Sequence, residues 1–355
     1  MKKILTTLFL VLLMTMAATA EDYIYSRQLE ERAIMGDAVA MYELSVCYRM
    51  SKGVALDLDK SNYWLERAAQ EGNHNAIAIL ELLVNNENGN TSPTSLTQAK
   101  RRELAEYERS ERARLLKSYS PQELEFSVAG VTFVMLKVDG GSFTMGNPQG
   151  GDTDERPTHM VNLSTYYIGQ TEVTQRLWEA VMGKNPSQIK GANHPVENVS
   201  WQDCQEFISR LNSKTGKNFR LPTEAEWEFA ARGGTKSVNY VYSGANNLFS
   251  VAWFISNTDK THSVVGKKSP NELGIYDMSG NVWEWCEDWY GDYSSLNQTD
   301  PKGSSSSKYR VFRGGAWDKK EDLCRVTNRD ATKPDWRQNN LGLRIAIGLN
   351  EALRK

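Results

Sequence analysis

Four cysteines and four histidines are all that this 355-residue chain offers for thiol or imidazole chemistry. Cys47, Cys204, Cys286 and Cys324 are too few for a disulfide scaffold. His74, His159, His194 and His262 are scattered, without ligand spacing. The HExxH zinc signature, the nucleophile elbow, the P-loop and the glycine-rich dinucleotide fingerprint are all absent, which removes the enzyme classes built on them. Basic charge is not in excess either. The formal net charge is −2, which excludes the electrostatic footprint of a nucleic-acid partner. The apolar run from Ile4 to Met16 falls short of the roughly 20 residues that a membrane-spanning helix needs.

That run follows Lys2 and Lys3 and precedes Ala18-Thr-Ala20, the pattern of a secretory signal peptide over residues 1–20, cut after Ala20. No cysteine stands near the cut to carry a lipid, so a periplasmic or secreted bacterial protein is expected, with no membrane span once the leader is gone. Cleavage takes the net charge to −4.

Residues 21–92 hold an internal repeat. Ala33-Ile-Met-Gly36-Asp-Ala-Val-Ala40 returns as Ala69-Gln-Glu-Gly72-Asn-His-Asn-Ala76, a period of 36. Leu44, Tyr48, Trp64 and Ala68 fall between the copies at helical spacing. The pattern resembles a Sel1-like, TPR-related repeat, with Gly53 in the turn between paired helices. One and a half units is short of the three or so that stacked repeats usually need, so the exposed end must lean on the next helix, the following domain or a partner. Asn85–Thr97 reads as a linker and residues 97–118, with interleaved Glu and Arg, as a solvated helix. Together residues 93–125 are expected to join two domains.

From residue 126 to 350 the signals change. Alternation over Val131, Phe133, Met135 and Lys137 predicts a strand entering the Gly140-Gly141 turn. Gly150–Pro157 is polar enough for a surface loop. Amphipathic helices are predicted near Thr174–Met182, Ser200–Asn212 and Thr223–Ala231, the last two with Ser200 and Thr223 as N-caps. Asn271–Tyr290 packs Ile275, Tyr276, Met278, Val282, Trp283, Trp285, Trp289 and Tyr290 around Gly274, Gly280 and Asn281. Burying each aromatic removes roughly 150–250 Å² from water, so this stretch is the expected centre of a core. Asp277, Glu284, Glu287 and Asp288 lie among those rings and need a cation, an Arg or backbone amides to stay ionised.

Gly274-Ile-Tyr-Asp-Met278 and Gly280-Asn-Val-Trp-Glu-Trp285 resemble the formylglycine-generating enzyme, or sulfatase-modifying factor, family. So do Gly140–Gly146, Thr171-Glu-Val-Thr174, Pro195–Trp201, Arg220–Glu228, Arg313-Gly-Gly-Ala-Trp317 and Leu341-Gly-Leu-Arg344, in the family's order. The resemblance implies an α+β, C-type-lectin-like fold with sparse secondary structure. It implies a structural calcium ion on Asp277, Gly280, Asn281, Val282 and Glu284, set against hydrogen bonding of both acids to Arg or backbone amides. It also brings Cys286 and Cys324 into packed segments, which makes them the leading candidates for a disulfide.

Catalysis in the resembled family needs two thiolates, Cys-x4-Cys, after a Gly-Gly-Ser turn, to bind Cu(I). Here the turn is Gly314-Gly315-Ala316; with no gap placed, Cys324 takes the second thiol position and Lys319 the first, while the Cys324-Arg325-x3-Arg329 pattern would instead align Cys324 to a noncatalytic position three residues on. Copper is therefore not expected, although Cys324 stays the candidate catalytic residue of an active oxidoreductase. Nonheme iron of other branches would need histidines, of which His194 and His262 are the pair that can meet. The competing reading is a binding or scaffolding protein that recognises a protein or glycan partner at the cell envelope. Nine of ten tryptophans follow residue 170. Trp201, Trp227, Trp283 and Trp285 are expected in the core, while Trp253, Tyr290, Tyr293 and Trp336 are left for core or surface. Arg329, Asn339, Asn340 and Arg344 are expected to pin the last loops by hydrogen bonds.

Overall fold

The computed structural model describes residues 23–85, 96–119, 122–148 and 151–354. The expected leader and most of the expected Asn/Ser/Thr linker lie outside these residues. The chain forms two compact units, residues 1–119 and 120–355.

The first unit is helical: α1 (Arg27–Ile34), α2 (Ala38–Met50), α3 (Leu58–Gln70), α4 (His74–Asn85) and α5 (Gln98–Tyr119). Ser26, Asp37 and Asp57 accept backbone N–H bonds at the starts of α1, α2 and α3. Gly36 (φ 105°) and Gly72 (φ 85°) supply the left-handed turns that set the repeat. Ala33, Leu44, Trp64, Ala68 and Ala76 fill the core between helices. The charged α5 is not solvated all round, as its sequence suggested. Leu104, Glu108 and Leu115 are buried, and Glu108 accepts from Tyr63 Oη (2.5 Å) and Arg67 Nη2 (3.0 Å). An apolar seam with one paired acid thus lets the next helix cover the incomplete repeat.

The second unit has three small sheets. The first has the order β1-β2-β5-β11, from β1 (Glu123–Val128), β2 (Val131–Val138), β5 (Tyr166–Gly169) and β11 (Ala346–Gly348). The second, β10-β6-β8-β9, joins β6 (Trp283–Trp289), β8 (Arg310–Arg313), β9 (Arg329–Thr332) and β10 (Leu341–Leu343). The third, β3-β4-β7, joins β3 (Gly141–Met145), β4 (His159–Leu163) and β7 (Gln298–Thr299). β1 begins inside the stretch expected to be linker. Ala129 (φ 48°) and Gly130 (φ 77°) fold it back on β2 as a hairpin, and a turn with positive φ at both central residues matches strand twist.

The helices α6 (Gln175–Met182), α7 (Trp201–Thr215) and α8 (Glu224–Ala231) stand where the sequence puts them, followed by the short α9 (Leu248–Val251) and α10 (Leu349–Leu353). Ser200 with Asp203, and Thr223 with Glu226, form reciprocal capping boxes. Trp227, Trp283 and Trp285 are core, whereas Trp201 is half-buried, its indole N–H donating to Cys286 O (3.0 Å). In the expected surface loop Gly150–Pro157, Glu155 is fully buried because Arg325 Nη1 reaches it at 2.8 Å. Among the described residues no helix is long and apolar enough to cross a membrane.

Thr223→Ala removes the cap that starts α8 and should lower unfolding stability by about 1 kcal/mol in a urea titration. An unchanged midpoint would mean that α8 does not depend on its first turn.

Candidate functional site

The loop from Ile275 to Val282 is held on edge by backbone bonds: Gly280 N donates to Gly314 O (2.7 Å) and Asn281 N to Trp253 O (2.8 Å), while Trp317 N donates to Asn281 O (2.9 Å). Asp277 and Asn281 sit at φ 58° and 60°, a left-handed conformation that Asp and Asn tolerate better than most residues. This turn aims both side chains inward. Asn281 Nδ2 donates to Glu172 Oε1 (2.8 Å) and Asn281 Oδ1 accepts from Ser263 N (2.9 Å).

Glu284, one strand residue further on, is buried and saturated. Arg344 reaches it through Nη2 (2.6 Å) and Nε (2.9 Å), and Trp227 Nε1 donates at 2.7 Å. Arg344 also donates to Gly169 O (2.8 Å) and Tyr276 O (2.9 Å), so a single guanidinium ties β10 to β5, β6 and the 275–282 loop. Asp277 has less. Its Oδ2 accepts from Gly266 N (2.6 Å), while its Oδ1 and Glu172 Oε2 are buried without partners. Burial is the main cause of a raised carboxyl pKa in both, to about 6 for Asp277 and well above the usual range for Glu172, and each acid also feels the other.

Beside the Gly314-Gly315 turn, Cys324 is fully buried in a cluster with Leu248, Val251, Ala252 and Phe254. Burial pushes its thiol up to about 12. Cys286 is also a free, buried cysteine, but it packs in a different cluster with Met278, Val311 and Val326. The expected Cys286–Cys324 bridge is therefore not formed, because each thiol is enclosed by its own apolar group. Lys319 Nζ lies 3.2 Å from Asp318 Oδ2 at the half-exposed surface.

A family profile, the sulfatase-modifying factor enzyme 1-like domain, matches residues 129–349. The chain belongs to this sulfatase-modifying factor family. Its relatives include a protein named chaperone protein LppX from Paenibacillus barcinonensis, 35% identical over 54% of this chain and 82% of that protein. The formylglycine-generating enzyme of Streptomyces coelicolor is 30% identical over 59% of this chain and 88% of its own. Among solved structures, Treponema denticola variable protein 1 superposes with a TM-score of 0.61 and 34% identity, over 64% of this chain and all of that one. The fold is the family's α+β, C-type-lectin-like one.

The donor set at the family's copper position does not fit a two-thiolate site. It offers one enclosed thiol of high pKa and an ammonium already beside a carboxylate. The calcium position fits in part. Glu284 is committed to Arg344, the alternative to metal binding weighed for it, whereas the partnerless oxygens of Asp277 and Glu172 suit a hard cation. Glu172 escaped the sequence reading as a site residue. Its Thr171-Glu-Val-Thr174 motif was visible, but nothing in a separation of over a hundred residues joins it to Asp277.

The two histidines do meet: His194 Nδ1 lies 3.0 Å from His262 Nδ1, and His262 Nε2 lies 3.8 Å from Glu197 Oε1. One proton serves both Nδ1 atoms, and burial, followed by His262, lowers the pKa of His194. Among the described residues no group of three or more His, Cys, Asp or Glu side chains is arranged to hold a metal. Trp336 is 48% exposed, Trp253 carries Lys268 over its ring at 4.2 Å, and Arg310 lies between the rings of Trp201 (3.7 Å) and Trp289 (3.5 Å). Asn340 Nδ2 donates to Asp318 Oδ1 (2.9 Å), and Asn339 O accepts from Trp317 Nε1 (3.3 Å), as anchors of the last loops.

Glu284→Gln leaves Arg344 buried without its counter-ion and should cost about 3–5 kcal/mol in chemical denaturation. A loss below 1 kcal/mol would show the pair to be dispensable. Glu224 gives a pH test. Burial alone would raise its pKa, yet Arg329 and Arg313 outweigh that and hold it below the ordinary carboxylate range. A depressed folded pKa contributes stability above the unfolded value of roughly 4, which is lost as pH falls through the folded one. Arg329→Gln should therefore shrink the gain in melting temperature between acid and neutral pH; an identical pH profile would exclude this pair as its source.

Proposed function

We propose that this chain is an exported, noncatalytic member of the family that recognises a protein or glycan partner at the cell envelope. The supporting observation is the enclosed, lone thiol of Cys324, with Lys319 where a second thiolate would be needed. A thiol at a pKa near 12 is almost wholly protonated at neutral pH, so it is neither a nucleophile nor a soft-metal ligand there. The Lys2–Ala20 leader pattern supports export, and the 36-residue repeat supports a Sel1-like contact role for the helical unit. A structural calcium ion is part of this reading, held by Asp277 together with Glu172 and by loop carbonyls near Gly280, Asn281 and Val282.

The kinship to formylglycine-generating enzymes supplies the competing activity, oxidation of a protein cysteine. Purified protein incubated with Cu(I), O₂ and a Cys-x-Pro-x-Arg peptide should yield no aldehyde by mass spectrometry. Turnover that Cys324→Ser abolishes would overturn the recognition reading. Iodoacetamide should leave Cys324 unmodified in the native protein and alkylate it after urea unfolding. For calcium, EDTA should lower the melting temperature and added Ca²⁺ restore it, since a ligand bound only by the native state stabilises it. An EDTA-insensitive melt would remove the ion.

A further inference from the structure

A cavity of about 200 Å³ lies outside the loops just described, lined by His159, Glu224, Asp288, Tyr293, Ser304 and Arg329 among others. Its charges are unevenly satisfied. Arg329 donates through Nε and Nη2 to the two oxygens of Glu224, both at 2.7 Å, and through Nη1 to Asp154 O (3.2 Å) and Gly291 O (3.0 Å). Tyr293 Oη donates to the same carboxylate at 3.2 Å. Glu224 and Arg329 therefore satisfy each other.

Asp288 has no such partner. It is 3% exposed, its Oδ2 accepts from Glu224 N (2.9 Å) at the first turn of α8, and among the described residues its Oδ1 has no hydrogen-bond donor and the carboxyl no ion pair. Burial, with the nearby acids Glu224, Glu226 and Glu287, pushes its pKa well above the carboxylate range; the Arg310 guanidinium also interacts with it, without forming an ion pair. A buried carboxyl that faces a cavity among acids, with no ion pair of its own, is short of a cation. Gly303 packs so closely that a Cβ there would stand 2.6 Å from Asp288 Cβ, so the loop keeps Asp288 against the cavity. Asp292 adds a further acid to the lining, while Ser294, Gln298 and Ser304 offer neutral polar groups.

We propose that this cavity binds a primary ammonium group on a small polar body, with Asp288 as its counter-ion. An ammonium brings three donors and one positive charge, which matches the partnerless oxygen of Asp288, whereas an anion would meet Asp288 and Asp292, the lining acids that carry no arginine partner. The volume holds on the order of six waters at about 30 Å³ each, enough for a hexosamine ring or the end of a lysine side chain. The shared chemistry is the alkylammonium, and its two sources are a free amino sugar and a lysine of a protein partner.

This inference deepens the recognition reading and rests on it. Its test is a set of thermal melts with millimolar D-glucosamine against D-glucose, and with Nα-acetyl-lysine methylamide against its norleucine counterpart. One or both amines should raise the melting temperature by a few degrees while the neutral members leave it unchanged. A response to glucosamine alone assigns the amino sugar, and a response to the lysine derivative assigns the protein side chain. Asp288→Asn keeps the acceptor for Glu224 N, so it should melt no lower than the parent when unliganded, yet bind the amine at least about tenfold more weakly. Ser294→Trp, which crowds the cavity from its lining, should do the same if Asp288→Asn misfolds. No response to either amine, equal responses to the neutral members, or an undiminished response in a folded Asp288→Asn overturns the proposal. Aldehyde formation in the peptide assay would instead overturn the recognition reading and leave the binding result standing.

Discussion

The second unit depends on guanidinium groups buried against carboxylates. Arg344–Glu284, Arg313–Glu228 and Arg329–Glu224 each join segments more than fifty residues apart, and none of these side chains reaches solvent appreciably. α8 supplies two of the three acids, so a helix of eight residues is fixed to the β6-β8-β9 face by charge as well as by Trp227. Desolvating such pairs is expensive, and their net contribution to stability is small compared with well-packed apolar groups. They act chiefly on geometry. A guanidinium that also donates to Gly169 O and Tyr276 O accepts one arrangement of the surrounding loops and few others.

This explains which parts of the molecule could be read from the chain alone. α6, α7 and α8 were legible because Thr174, Ser200 and Thr223 announce their starts, and a cap is a local interaction. The tryptophan-rich centre was legible from its composition. β1 was not, since Glu123, Leu124 and Glu125 continue the polar texture of the helix before them and only pairing with β2 makes them a strand. Glu155 and Trp201 were misplaced for a related reason: Arg325 draws the first inward, and Arg310 props the second at the surface. For Glu284 both possible partners were foreseen, but choosing Arg344 over an ion requires knowing what lies sixty residues away.

The same separation limits how a site announces itself. Glu172 and Asp277 form a pair only because the 275–282 turn, the 263–266 segment and the start of α6 converge, and Asp288 faces its cavity only because the 291–304 loop folds back across β6. Motifs report family membership, which here means the scaffold. Groups such as Glu172 with Asp277, or Asp288 against its cavity, sit at the crossings between motifs.

The sheet β1-β2-β5-β11 carries the first strand of the second unit on one edge and its last strand on the other. Three strand spacings of about 4.8 Å separate them, roughly 14 Å in all. A unit whose first and last strands lie so close together in one sheet is suited to being spliced into a surface loop of an unrelated host, or shuffled among fusion partners, with short connecting spacers.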